Sequence, residues 1–273
     1  MAFASASGPD ALDPKRTFYY RTIKALQDVH VPFLVGGAYA LRHYTGITRE
    51  TKDLDLFVRP QDLEYALDTI SAAGYRTEVT FTHWIGKALC GEYVVDLIFN
   101  SGNGVSEVDD SWFDHAPQGE VFGLTVLMSP AEEMIWSKAF IMERERFDGA
   151  DIMHLLLIYS DRLDWRRLLV RFGPHWRVLM AHLILFGFIY PSERDRIPRS
   201  VIQELQNYLQ QEMASEPPTD RICRGTLLSH LQYLVDIQDW NYKDARLLPH
   251  GSMTEQEIAL WTAAFEKNGR KKG

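Results

Sequence analysis

Apolar and polar residues alternate through the first half of the chain at spacings typical of both helices and strands. Apolar residues three and four positions apart indicate amphipathic helices, and short apolar runs bounded by glycine or proline indicate strands. The pattern predicts helices at 14–30, 38–44 and 60–74, and strands at 31–35, 54–58, 76–82, 93–99 and 121–127. This alternation predicts an α/β unit with a mixed sheet.

From Ser129 onward the spacing is helical throughout. Ser129 and Pro130 are a helix start, with serine as the cap and proline in the first turn. Further helices are predicted at 131–146, 150–160, 162–172, 175–189, 198–214, 220–236 and 254–267. The sequence therefore predicts an α+β protein, with an α/β domain at residues 1–128 followed by an all-helical domain at residues 129–273.

Composition is that of a folded protein and excludes a disordered or fibrous chain. The 273 residues are 46% hydrophobic and 24% charged, with a net charge of −8, which gives no global attraction for long nucleic acids. Cys90 and Cys223 are isolated thiols, which indicates a reducing compartment and no zinc site. No signal peptide is apparent in the first thirty residues, and the apolar stretch 178–190 is shorter than the about 20 residues that span a bilayer. We expect a cytoplasmic protein that does not enter the membrane, with 178–190 as a buried helix.

Three aspartates carry the most informative chemistry. Asp53 and Asp55 lie two positions apart at the start of a predicted strand, so their side chains point the same way, about 7 Å apart. Asp96 is the one charge in the apolar run 93–99, where an unpaired carboxylate is costly. If the two strands are neighbours, the three carboxylates form a cluster that suits a hard divalent cation.

Gly36 and Gly37 separate a strand from a helix just before the first two aspartates. Such a turn is either a plain tight connection or a place where free backbone N–H groups and a helix N-terminus hold a phosphate. In the second interpretation the chain has the parts of a phosphoryl-transfer site. Three carboxylates would hold two metal ions about 4 Å apart, and the glycine turn would hold a triphosphate.

These segments resemble the nucleotidyltransferase superfamily typified by DNA polymerase beta. The resemblance is strongest to small bacterial nucleotidyltransferases, and it is looser to aminoglycoside and lincosamide adenylyltransferases and to nucleotidyltransferase-like toxins of abortive-infection systems. It covers residues 30–100 and extends more weakly to 130–160. The matching segments are Val35-Gly36-Gly37, Asp53-Leu54-Asp55 and Asp96, followed by Lys138 and Arg144-x-x-x-Asp148-x-x-Asp151.

The resemblance implies a role for each aspartate. Asp53 and Asp55 would bind both metals, two Mg²⁺ or alternatively Mn²⁺, and Asp96 would bind the catalytic metal and help to activate an acceptor hydroxyl. That hydroxyl would attack the α-phosphorus of a nucleoside triphosphate, and pyrophosphate would leave. Gly36, Gly37, Arg49 and Lys138 are the candidate nucleotide-binding residues.

Several of these residues also have simpler explanations. Lys138 either neutralises the triphosphate or extends to solvent from an apolar helix, and Arg49 is either a phosphate ligand or a solvated loop residue. Asp148 and Asp151 are site residues or the cap and first turn of the next helix. Lys87 is expected at the surface.

The acceptor and the partners stay open at this stage. A small molecule, a protein side chain and a tRNA end all need the same three carboxylates, and the arginines at 162, 166, 167, 171 and 177 form a stripe that could meet tRNA. A homodimer is an open alternative. The competing functions are a non-catalytic nucleotide- or partner-binding module, such as a toxin–antitoxin component, and a glycosyltransferase of the Asp-x-Asp type.

Overall fold

A five-stranded mixed sheet organises the N-terminal half, in a computed structural model that describes residues 13–269. Its strands lie in the order β1-β2-β5-β4-β3. Within this sheet β2 and β5 run parallel and the other neighbours antiparallel. The strands are β1 (Leu34–Val35), β2 (Asp53–Phe57), β3 (Arg76–Phe81), β4 (Ile85–Cys90) and β5 (Tyr93–Ile98).

Helices cover one face of this sheet and leave the other face partly open. They are α1 (Pro14–Asp28) and α3 (Leu63–Ala72), while α2 (Gly37–Thr45) follows β1 directly. Strand residues that face the core are fully buried, namely Leu54, Leu56, Val95 and Leu97. Their neighbours at positions 53, 55 and 96 point to the opposite face and keep some exposure. Alternation along two strands therefore places the aspartates on the open face.

The remainder is mainly helical and shares one apolar core with the sheet. Buried residues on both sides of position 128, including Leu41, Ile135 and Leu156, belong to the same cluster. The elements are α4 (Asp110–Asp114), β6 (Gln118–Val121), β7 (Leu124–Leu127), α5 (Ala131–Ala139), α6 (Gly149–Tyr159), α7 (Trp165–Phe172), α8 (Trp176–Ile189), α9 (Arg199–Met213), β8 (Ile222–Cys223), α10 (Leu234–Gln238), β9 (Lys243–Asp244) and α11 (Glu255–Gly269).

Several sequence predictions differ from this structure. Strand β4 was not predicted, because Gly86 and Lys87 interrupt its apolar pattern. The run 121–127 is not one strand, since Phe122 and Gly123 form the turn of the β6–β7 hairpin with positive φ angles. The helix predicted at 131–146 ends at Ala139. In place of a helix at 220–236, β8 pairs in parallel with β9, and these two-residue strands interrupt a C-terminal part that is otherwise helical.

The apolar stretch around α8 is buried on one face only. Leu179, Leu183 and Phe186 are buried, whereas Ile184 is 62% and Phe188 81% exposed, which corrects the expectation of a buried helix. Among the described residues, Trp165–Ile189 is the one stretch that is long and apolar enough to cross a membrane. It is divided by the turn at 173–175, and the 14 residues of α8 extend about 21 Å, less than the about 30 Å of a bilayer core.

Candidate active site

The structure brings the three aspartates together. Strands β2 and β5 are parallel neighbours, and their register places Asp55 directly beside Asp96, with Asp53 two residues earlier on the same face. Adjacent strands lie about 4.8 Å apart, so three carboxylates share one small region of the open face. The convergence expected from the sequence is therefore present in the fold.

This clustering leaves the site with excess negative charge. Burial, together with the charges of Asp53 and Asp96, raises the pKa of Asp55 to about 7. Burial and Asp53 also raise the pKa of Asp96, although Lys87 opposes the shift. The same field reaches Tyr39, whose pKa is raised to about 12 by burial and by nearby carboxylates that include Asp53. A cation would relieve this repulsion.

The glycine turn allows the start of α2 to approach these carboxylates. Gly37 has a φ of +52°, and a Cβ atom added there would lie 1.7 Å from Oδ2 of Asp55. A Cβ on Gly36 would lie 2.2 Å from the Phe57 ring, and the Gly36 N–H donates to the Asp55 carbonyl at 2.9 Å. No other residue fits this turn without displacing Asp55 or Phe57. The turn is therefore tight and also places a helix N-terminus at the aspartates.

A second ionic cluster lies beside the aspartates. The Lys138 Nζ on α5 lies 2.9 Å from carboxylate oxygens of both Asp148 and Asp151, and Arg49 pairs with Asp151. Arg146 donates two hydrogen bonds of 2.9 Å to Asp148. The positive charges of Lys138 and Arg146 partly oppose the rise in the pKa of Asp55, so both act on its carboxylate.

These contacts test the structural alternatives left open by the sequence. Lys138 is 16% exposed and paired with two carboxylates, so it does not extend to solvent. Asp148 occupies the N-cap position of α6, but its side chain makes no capping hydrogen bond there, whereas Asp151 does lie in the first turn of that helix. Burial opposes ionisation of Asp148, but its hydrogen bonds and ion pairs with Arg146 and Lys138 outweigh burial and lower its pKa to about 2.

Sequence reasoning missed two cations of the site. Arg146, not Arg144, reaches Asp148, while Arg144 is 83% exposed and contacts its neighbour Glu145. Lys87 was expected at the surface, but its Nζ lies 2.9 Å from Oδ1 of Asp96. Only the register of the unpredicted strand β4, in which Lys87 faces Asp96, reveals that contact.

A hairpin from the C-terminal half carries Arg146, whose charge interacts with those of Asp53 and Asp55. Met142 pairs with Phe147, and the Glu143 N–H donates to the Arg146 carbonyl at 2.8 Å. The Glu143 carboxylate accepts hydrogen bonds from the His230 backbone N–H at 3.0 Å, from the His230 ring and from Ser229. The segment 228–230 therefore holds the hairpin in place.

The three aspartates fit a hard divalent cation, although their carboxylates do not converge on one point in this structure. Within residues 13–269, no three His, Cys, Asp or Glu side chains stand arranged as ligands of one ion. Asp96 is bonded to Lys87, and Asp53 accepts a hydrogen bond from Thr51. Carboxylate oxygens are the ligands Mg²⁺ and Mn²⁺ prefer, and such an ion would neutralise the charges of Asp53 and Asp96 that, after burial, raise the pKa of Asp55.

No protein-family model and no curated protein sequence matches the chain. Three solved structures that align with it are the antibiotic-resistance factor ANT(2'')-Ia, the lincomycin-bound lincosamide antibiotic adenylyltransferase LnuA, and an antigenic nucleotidyltransferase-like protein from Paracoccidioides brasiliensis. Their identities are 16%, 16% and 17%, and their TM-scores 0.36, 0.39 and 0.39. The alignments cover 73%, 55% and 69% of this chain and 96%, 99% and 94% of theirs.

The crowded Asp55 makes folding depend on pH. Because its pKa is raised in the folded protein, its charge destabilises the fold above pH 7, and the penalty is relieved as the pH falls toward the ordinary value of 3.8. In EDTA we expect Asp55→Asn to be more stable than the wild type at pH 8. We expect that advantage to shrink by about 1–2 kcal/mol by pH 5.5. Urea denaturation gives the free energy of unfolding of both proteins, and the difference between them cancels the contribution of the histidines. A difference that does not change with pH would contradict the raised pKa of Asp55.

The Glu143 contacts make the hairpin sensitive to a single substitution. Glu143→Ala removes the acceptor for Ser229 and His230, so the backbone of residues 141–148 should exchange amide hydrogens about tenfold faster or more. Glu145→Ala, at the exposed tip of the same hairpin, is the matched control and should leave exchange unchanged. Equal exchange in the two variants would show that segment 228–230 does not hold the hairpin.

Proposed function

We propose that the protein is a divalent-metal-dependent nucleotidyltransferase. It would move a nucleoside monophosphate from a nucleoside triphosphate to a hydroxyl group of an acceptor and release pyrophosphate. The observation that carries the proposal is the register of β2 and β5, which sets Asp53, Asp55 and Asp96 beside the N-terminus of α2. No single motif in the chain would support it as well.

The substrate would bind between the triad and the second ionic cluster. Asp53, Asp55 and Asp96 would hold Mg²⁺ or Mn²⁺, which would neutralise phosphate charge and polarise the phosphorus centre. The backbone at Gly36 and Gly37 offers a helix N-terminus to phosphate oxygens, and lacks side chains that would block them. Lys138 and Arg146 carry the positive charge that would stabilise the departing pyrophosphate.

Asp96 would accept the proton of the acceptor hydroxyl. Its pKa is raised by burial, which makes this carboxylate a better base than an exposed one. As the hydroxyl oxygen bonds to the α-phosphorus, its proton passes to Asp96. The bond between the α-phosphorus and the bridging oxygen of pyrophosphate breaks. Positioning and charge compensation thus account for most of what the protein contributes.

The acceptor is proposed only as a molecule that carries a hydroxyl group. A small molecule, a protein side chain and a tRNA end all meet this requirement. The arginine stripe offers less to tRNA than the sequence suggested, because Arg167 and Arg171 are buried in ion pairs with Glu133. Of the remaining members, Arg162 lies in the turn before α7, Arg166 on α7 and Arg177 on α8.

One observation favours the alternative of a non-catalytic nucleotide- or partner-binding protein, such as a toxin–antitoxin component. Lys87 already neutralises Asp96, so the third carboxylate is compensated without a metal. That alternative predicts nucleotide or protein binding without release of pyrophosphate. Activity measurements separate the two functions.

Substitution of the triad should abolish transfer. The protein is incubated with labelled nucleoside triphosphates, Mg²⁺ and cell extract, and label transfer and pyrophosphate release are measured. Asp53→Asn and Asp55→Asn should each reduce both by about 100-fold or more, because each removes charge required in the transition state. Asp68→Asn, on the exposed side of α3, is the control and should retain the wild-type rate. Equal labelling by the wild type and the two site variants would remove the enzyme assignment.

A further inference from the structure

A row of four charged residues crosses the open face of the sheet. The strand registers pair Asp55 with Asp96, Asp96 with Lys87, and Lys87 with Glu78, on β2, β5, β4 and β3 in that order. One lysine therefore stands between a carboxylate of the triad and a carboxylate outside it. The Lys87 Nζ is bonded to Asp96 at 2.9 Å, while Glu78 is bonded to Arg76 at 2.8 Å.

Both carboxylates are within reach of the same ammonium group. Each neighbouring strand lies about 4.8 Å away, and a lysine has a flexible four-carbon stem whose ammonium donates in several directions. Lys87 is 29% exposed, so its head has room to move. Glu78 lies at the outer strand β3, where its present partner Arg76 is exposed and leaves an oxygen free to accept a second cation.

Asp96 needs one positively charged partner, which is either a lysine or a bound metal ion. An ionised carboxylate at this depth, beside Asp55, is costly without a partner. Lys87 supplies that partner in the present structure. A divalent ion bound by the same oxygen would repel the ammonium, and the two cations would compete for one carboxylate.

We infer that Lys87 occupies the cation position of Asp96 and moves to Glu78 when a divalent ion binds the three aspartates. The inference rests on the proposed function, since it assumes that the triad is a metal site. Lys87 thus acts as a positioning residue. It orients Asp96 without metal, and it weakens metal binding until the ion displaces it.

Mn²⁺ binding to the full-length chain, followed by electron paramagnetic resonance, tests the exchange without any substrate. Lys87→Met removes the competitor and should bind Mn²⁺ about tenfold more tightly than the wild type. Lys87→Arg keeps the ion pair and should bind like the wild type. Lys52→Met removes an exposed lysine next to Asp53 and controls for the general loss of positive charge; its effect should be much smaller.

The receiving carboxylate is tested separately. Glu78→Gln removes the second partner of Lys87, so Mn²⁺ should bind more weakly than to the wild type. Glu92→Gln, in the exposed turn between β4 and β5, is its matched control and should bind like the wild type. Circular dichroism and thermal unfolding of each metal-free variant establish that it is folded before the titration. A crystal structure with Mn²⁺ should show the Lys87 ammonium on Glu78.

The outcomes separate this inference from the proposed function. If the wild type binds Mn²⁺ and Lys87→Met binds it no more tightly, or if Lys87 stays on Asp96 in the Mn²⁺-bound crystal, the exchange is wrong and the enzyme assignment stands. If Lys87→Met binds Mn²⁺ more tightly but neither protein transfers label, the exchange stands and the enzyme assignment fails. Absence of Mn²⁺ binding to every variant would overturn both.

Discussion

Repulsion among three carboxylates is the interaction on which the rest of the site depends. Asp53, Asp55 and Asp96 share one face of two adjacent parallel strands, and burial together with the charges of Asp53 and Asp96 raises the pKa of Asp55 to about 7. Cations surround the cluster from two directions. Lys87 approaches along the sheet, and Lys138 with Arg146 approaches from the helical half.

The scaffold maintains this crowding through the core beneath it. Leu54, Leu56, Val95 and Leu97 alternate with the acids and are fully buried, so a slip of one residue in either strand would bury a carboxylate and expose a leucine or valine. The helical half also contributes directly. Segment 228–230 fixes the hairpin that carries Arg146, which couples a region distant in sequence to the charge balance at the triad.

The sequence predicted the parts of the site that depend on local alternation. Asp53 and Asp55 had to share a face, and Gly36 with Gly37 had to form a turn. It did not reveal contacts that depend on which strands become neighbours, so Lys87 and its pairing with Asp96 were missed together with β4. Asp148 was ambiguous, since the residue type that caps a helix also binds lysine and arginine, and only the end of α5 at Ala139 brings Lys138 within reach. The domain division at residue 128 and the roles of the site residues stay predictions.

The shared charge of the triad can be measured directly. Carbon-13 NMR of the aspartate carboxyl groups, followed through a pH titration in EDTA, gives the pKa of Asp55 in the wild type and in Asp96→Asn. A value near 7 in the wild type, with a clear decrease in the variant, is the predicted result. An Asp55 pKa near the ordinary aspartate value, unchanged by Asp96→Asn, would show that the carboxylates do not form one electrostatic unit.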